Sequence, residues 1–215
     1  IKSDLRFEFQ DVYNTYALGG CDLSATTDLT AATLLIRKPG DPIVYVLQQY
    51  SSRKSASHTS GEEHQRGSIS KMGRPRPPHH LPGNRVNYSD VTAWFCQMRD
   101  EYKIDCIKVG YDRARGLLGG RNAIKRFRYG GRRPGPLYME SAMREMGAAL
   151  EGKQVNYNGN PMLVWCLTNT GVKNRAQQHS ARKDHEKRRI DGMVSLLNAW
   201  TIYVKYYEDF MYNVG

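Results

Sequence analysis

Residues 19–50 read GGCDLSATTDLTAATLLIRKPGDPIVYVLQQY, and the order of elements in this run decides the fold. Tyr16–Leu23 is one β-like stretch, Leu29–Arg37 a second, and Ile43–Tyr50 a third, each rich in residues that suit a pleated, buried surface. KPGDP at 38–42 supplies the turn before the third, because Pro presets φ and Gly accepts the conformations that a tight reversal demands. Connections this short join antiparallel neighbours. The run therefore predicts a three-stranded antiparallel meander with Asp22 near the end of its first strand.

Outward from the meander, residues 1–15 are mixed and polar and read as a lead-in segment. Residues 51–83 are rich in Ser, Arg, His, Pro and Gly with almost no apolar periodicity, which predicts an irregular stretch. His79 and His80 stand there between prolines, without the spacing of a metal site. From Tyr88 order resumes: Ser89 or Asp90 caps a helix whose Val91, Trp94, Phe95 and Met98 recur at helical spacing, as core residues. Ile104–Tyr111 is then a short strand ending at Asp112, so the helix is a crossover onto the sheet.

Residues 113–135 are rich in Gly and Arg and predict an irregular basic loop. Met139–Leu150 reads as a helix, and Asn160–Pro161 as the N-cap and first residue of a short helix through Trp165. A third polar, basic stretch covers 171–188. The last helix begins near Arg189 and runs towards Tyr207 or beyond, with Ile190, Val194, Leu197 and Val204 on its packing face. Asp191, Ser195 and Asn198 lie at i, i+4 and i+7, a polar stripe able to turn one carboxylate towards the sheet. The expected arrangement is α/β: a mixed sheet of the meander plus parallel strands, flanked by helices, within one domain spanning 16–212.

Three aspartates, Asp22, Asp112 and Asp191, occupy two strand ends and a first helical turn. Carboxylates brought together from such distant positions repel, and a divalent cation relieves that repulsion. Oxygen ligands suit hard cations. The four cysteines, at 21, 96, 106 and 166, show no C-x-x-C spacing, which leaves zinc ribbons unsupported and predicts reduced, packed thiols. Asp28 is either a further ligand or the cap of the second strand.

The chain of 215 residues carries a formal charge of +11. Lys and Arg crowd 113–133 and 173–189, and such clusters form either a solvated face or a phosphate-binding surface. Beside an acidic cation site, the second reading is favoured: Arg113, Arg115, Arg121, Lys125, Arg126, Arg128, Lys187, Arg188 and Arg189 are candidate contacts to a DNA backbone. No apolar run spans a bilayer and no signal peptide stands at the start. A chain beginning at Ile1 rather than Met is expected to be a piece of a longer protein.

A strand-borne acid, a second on a neighbouring strand and a third on a packed helix make the ribonuclease H-like arrangement. At these residues the chain resembles the C-terminal nuclease domain of the large terminase subunit of tailed phages and prophages. The resemblance is carried by GGCDLSATTDLTAATLLIRKPGDPIVYVLQQY (19–50), GNRVNYSDVTAWF (83–95), IKVGYD (107–112), GPLYMESAMREMGAAL (135–150), GNPMLVWCLTNTGVK (159–173) and RRIDGMVSLLNAW (188–200). It implies a ribonuclease H-like fold and an endodeoxyribonuclease that cuts concatemeric viral DNA during packaging, in the bacterial host cytoplasm.

In that family Asp22, Asp112 and Asp191 match the catalytic, metal-binding acids and Asp28 a further acidic position. The cofactor implied is a pair of Mg²⁺ or Mn²⁺ ions ~4 Å apart, bridged by Asp22. Implied partners are double-stranded DNA, the ATP-driven motor domain, the small terminase subunit and the portal. No G-x-x-x-x-G-K-[ST] loop occurs, so the motor is not within this chain. Residues 51–82 and 113–134 do not follow the family pattern. They motivate a second reading, a catalytically silent DNA-binding or assembly module from a decayed prophage. Another ribonuclease H-like nuclease, of resolvase or transposase type, is a third.

Overall fold

The meander forms, and its strands are nearly the ones the sequence predicts: β1 is Thr15–Asp22, β2 Thr30–Ile36 and β3 Val44–Ser51. A computed structural model describes residues 4–23, 30–51, 88–111, 136–175, 178–183 and 189–215. Helix α1 (Tyr88–Tyr102) leads into β4 (Ile104–Tyr111), and α2 (Pro136–Glu151) into the two-residue strand β5 (Val155–Asn156). After α3 (Pro161–Thr168) come β6 (Thr170–Arg175) and β7 (Gln178–Lys183), then α4 (Asp191–Lys205) and α5 (Tyr207–Val214).

The main sheet has the order β4-β1-β2-β3-β5. β1, β2 and β3 pair antiparallel; β4 runs parallel to β1, and β5 parallel to β3. This is the mixed, helix-flanked sheet of the ribonuclease H-like class. Every residue of β2 is buried, so TAATLLI reads as a continuous apolar run rather than an alternation; strands covered on both faces do so.

Neighbouring residues divide between the two faces, as strand geometry requires. Leu18, Leu35, Val46 and Tyr50 join Leu163, Leu196, Trp200 and Phe210 in a core beneath α2–α5. Ala17, Leu34, Ile36 and Leu47 join Trp94, Phe95, Met98 and Val109 on the α1 side. Trp94 and Phe95 are thus core residues, 7% and 1% exposed.

The parallel pairing carries an irregularity. Ala17 pairs with Cys106 but Leu18 with Lys108, so Ile107 is an extra residue in β4. A bulge of this kind resets which side chains face which way, because a one-residue slip inverts a strand's faces. Beyond it Gly20 pairs with Gly110 and Cys21 with Tyr111.

Four elements differ from the sequence expectation. The described residues 4–15 are strapped to the fold as they lead into β1. Phe7 and Val12 are buried, Phe7 meets the Tyr45 ring edge-on at 5.3 Å, and Asn158 Nδ2 donates to the Phe7 carbonyl at 2.9 Å. The 171–188 stretch is not wholly irregular: Thr170 pairs with Lys183 and Arg175 with Gln178 in an antiparallel hairpin. Backbone pairing does not require the apolar alternation that this sequence lacks. Short β5 is likewise added at the sheet edge. The final helix breaks at Tyr206, so Tyr207–Val214 forms a separate helix that buries Phe210. Among the described residues, no helix is long and apolar enough to cross a membrane.

Candidate metal centre

Asp22 is the last residue of β1 and Asp191 the first of α4, and each is only 4% exposed. What brings them to one end of the sheet is the seating of α4. A Cβ on Gly20 would strike the Ser195 carbonyl and the Ala199 backbone, whose Cα would lie 2.8 Å away. A Cβ on Gly110 would lie 2.6 Å from the Asn198 carbonyl and 2.7 Å from Ile202 Cγ1. Two register-paired glycines thus form a trough in which α4 lies almost against the strand backbone.

The polar stripe of α4 stitches this contact. Ser195 Oγ donates to the Gly20 carbonyl at 3.0 Å, and Asn198 Nδ2 to the Cys21 carbonyl at 2.8 Å. Both acceptors immediately precede Asp22 in the chain. Asp191 opens the helix, where the macrodipole favours a negative charge. No side chain caps that end at Ile190.

Strand register puts the two acids at the same end of the sheet: Asp22 pairs with Ala31 and Ala31 with Tyr50, while a Cβ on Gly192, the residue after Asp191, would lie 2.9 Å from Tyr50 Cε1. Burial pushes the thiol of Cys166 up to about 11; N–H donation from Gly192 and Met193 opposes the rise and nearby negative charge adds to it. The helix that carries Cys166 is fixed by its own signal: Asn160 Oδ1 accepts from Met162 and Leu163 N–H at 3.0 and 3.2 Å, with Pro161 at the first position.

Beneath the start of α4 lies a polar group that sequence reasoning missed, with Tyr50, Thr33 and Ser195 buried and Gln48 half-buried. Tyr50 Oη donates to Gln48 Oε1 at 2.6 Å. Gln48 Nε2 donates to the Gly192 carbonyl and to Thr33 Oγ1, both at 2.8 Å. Thr33 Oγ1 and Ser195 Oγ are 2.7 Å apart. Burial, then the charges of Cys166 and Asp191, push the Tyr50 hydroxyl well above its ordinary range, so it remains a donor. The signal was available: Gln48 and Tyr50, two apart, interrupt the apolar strand VYVLQQYS on one face.

The donor set fits a hard divalent cation. Two buried carboxylates at one end of the sheet repel each other, and Mg²⁺ or Mn²⁺ takes such oxygen ligands. Among the described residues, no group of three His, Cys, Asp or Glu side chains is placed to hold a metal. Asp112, the third acid, follows Tyr111 and lies outside the described residues, as do Asp28, His79 and His80. So do Arg113, Arg115, Arg121, Lys125, Arg126, Arg128, Lys187 and Arg188. Arg189 is described: it is half-buried, and its carbonyl accepts from Asn169 Nδ2 at 3.2 Å just ahead of Asp191. The cysteines are free, as expected, with Cys21, Cys106 and Cys166 buried.

No family model matches the chain, and no curated protein matches it in sequence. Solved structures do. The large terminase of bacteriophage HK97 superposes with a TM-score of 0.65 at 20% identity over 90% of this chain. The present chain spans 42% of that protein's length. The large terminase nuclease of thermophilic phage G20c gives a TM-score of 0.56 at 11% identity, covering 87% of this chain and 82% of its own. The same nuclease with bound magnesium gives 0.54 at 13% identity, with the same coverage. The structural neighbours are phage large terminases and their nuclease domains, and it is their fold that this chain adopts.

Proposed function

We propose that this chain is the metal-dependent DNA endonuclease domain of a phage or prophage large terminase, cutting concatemeric viral DNA during packaging. The observation that carries the reading is geometric: buried Asp22 ends β1 in the row Asp22–Ala31–Tyr50, and the peptide after buried Asp191 rests on the Tyr50 ring. A neighbour of the same fold was solved with magnesium bound. Asp112 is proposed as the third acid; what supports this is the pairing of Tyr111, the last described residue before it, with Cys21, the predecessor of Asp22.

Asp22, Asp112 and Asp191, with Asp28 as a fourth candidate, would hold Mg²⁺ or Mn²⁺ through carboxylate oxygens. Bound between carboxylates, a pair of such ions lowers the pKa of an attacking water and stabilises the leaving oxygen of an in-line displacement. The chain's own part is to hold two of these acids on rigid elements, a strand end and a helix start clamped by Ser195 and Asn198. The net charge of +11 supplies sequence-independent attraction to the phosphate backbone, which weakens steeply with salt. Arg189 and the basic residues of 113–128 and 187–188 are the candidate contacts. The motor domain, small subunit and portal would direct the cut.

The test is plasmid digestion with Mn²⁺ by the parent chain and by Asp22→Asn. Cleavage by the parent and not by the variant supports the reading. Retardation of DNA without cleavage by the parent would instead identify a silent binding module, and preference for four-way junctions a resolvase.

A further inference from the structure

We infer that Gln48 is a positioning residue for the candidate metal centre, its carboxamide setting the separation of Asp22 and Asp191 through hydrogen bonds to the backbone beside each. The inference rests on the metal-dependent reading above and adds residues to it.

Hydrogen-bond chemistry orients the group. Gln48 Nε2 donates to Thr33 Oγ1 and to the Gly192 carbonyl, and Gln48 Oε1 accepts from Tyr50 Oη. A reversed carboxamide would set Oε1 against the Gly192 carbonyl, two acceptors face to face, so that carbonyl fixes the orientation of the carboxamide. Ser195 Oγ reaches both the Gly20 carbonyl and Thr33 Oγ1, and in the 2.7 Å contact with Thr33 either hydroxyl is able to donate.

The result is a relay with two ends. One ends at the carbonyl of Gly192, the residue after Asp191. The other passes through Thr33 and Ser195 to the carbonyl of Gly20, two residues before Asp22. It crosses from β3 through β2 to β1 and ties all three to the first turns of α4. Tyr50 adds a steric stop. A Cβ on Gly192 would lie 2.9 Å from Tyr50 Cε1 and would strike its hydroxyl, so the peptide after Asp191 rests directly on that ring. Tyr50, Thr33 and Ser195 are buried and Gln48 is half-buried, so a partner lost among the buried members is costly to replace.

Groups that orient metal ligands typically change metal affinity about 10- to 100-fold when removed. The experiment titrates Mn²⁺ into the full chain, following free ion by its electron paramagnetic resonance signal. It compares the parent, Gln48→Met, Tyr50→Phe and Ile36→Val, with thermal unfolding run on each. Ile36 is fully buried in the same sheet but joins the other core cluster, so Ile36→Val measures plain destabilisation. The expected result is cooperative unfolding by all four, Mn²⁺ affinity about 10-fold or more weaker in Gln48→Met, weaker in Tyr50→Phe, and parental in Ile36→Val.

Tyr50→Phe keeps the buried ring and decides the matter if Gln48→Met does not fold. Parental affinity in the folded variants, or an equal loss in Ile36→Val, overturns the positioning role and leaves the metal site standing. A parent that binds no Mn²⁺ overturns the metal reading, and this inference with it.

Discussion

Replacing Gly20 with alanine adds one methyl group at the most crowded point of the helix–sheet contact. The new Cβ would lie 2.8 Å from Ala199 Cα and still closer to the Ala199 nitrogen and Ser195 carbonyl, all backbone atoms that no rotamer change can move. An ordinary contact begins at 3.4 Å, so α4 must rise by at least about 0.6 Å, from 3.4 − 2.8. Overpacking of this kind costs about 1–3 kcal/mol. The same lift stretches the Ser195–Gly20 and Asn198–Cys21 hydrogen bonds, each worth about 0.5–1.5 kcal/mol. A total loss of roughly 2–6 kcal/mol is expected. Gly147 supplies the control: it lies inside α2, and a Cβ there meets nothing within 4 Å. The identical substitution at Gly147 should stabilise by about 0.5–1 kcal/mol, the helix preference of alanine over glycine. Urea unfolding of both variants measures the contrast. If Gly20→Ala matched the parent, or the two variants moved together, the close seating of α4 would be wrong, and the convergence of Asp22 and Asp191 would lose its cause.

Asn160→Ala removes the acceptor for the Met162 and Leu163 N–H groups and should cost about 0.5–2 kcal/mol in the same unfolding experiment, with Asn160→Ser recovering part. Asp22→Asn should leave the protein as stable as the parent, or more so, in EDTA, because it removes one of two mutually repelling buried carboxylates; added Mn²⁺ should raise the melting temperature of the parent only. Alkaline stability should depend on Tyr45, whose hydroxyl is raised to about 12 by burial and by donation to Asp41 at 2.6 Å. The folded value exceeds the ordinary 10, so this contribution is intact below pH 10 and is lost as pH rises towards 12. Tyr45→Phe should flatten that fall, by at most about 1.4 kcal/mol per pH unit, when unfolding is measured across the window. Burial pushes Asp41 up, but the Tyr45 hydroxyl, the Ile43 N–H and the charges of Lys38 and Arg37 outweigh it and hold its pKa low. Its stabilisation is therefore present above the ordinary carboxylate range and fades as pH falls through it, an acid-side loss that Tyr45→Phe should also reduce.

Some elements announce themselves locally. The Asn160–Pro161 pair satisfies two helix N–H groups and presets φ, and both effects act within four residues. The meander is legible because its strands are apolar and one of its turns carries Pro and Gly. The stripe Asp191, Ser195 and Asn198 shows its direction through helical spacing alone. The 170–183 hairpin was not legible, since TGVKNR and QHSARK carry neither apolar alternation nor a two-residue turn signature such as Asn-Gly. Nor was the N-terminal strap. Its anchors, Asn156 and Asn158, lie about 150 residues away and act only once the chain is folded.

By itself, then, the sequence determined the meander, the main helices and the face on which Asp191 travels, and it nominated the acids, because helix and strand periodicities and caps are short-range physics. Tertiary structure alone decided how near those acids come. The bulge at Ile107 and the trough of Gly20 and Gly110 set the height and register of α4. Gln48 and Tyr50, which look like ordinary strand residues, become supports of the site only when β3 lies beneath the helix start. Separations of a few tenths of an ångström are settled by packing between segments remote in the chain, and no local pattern encodes them.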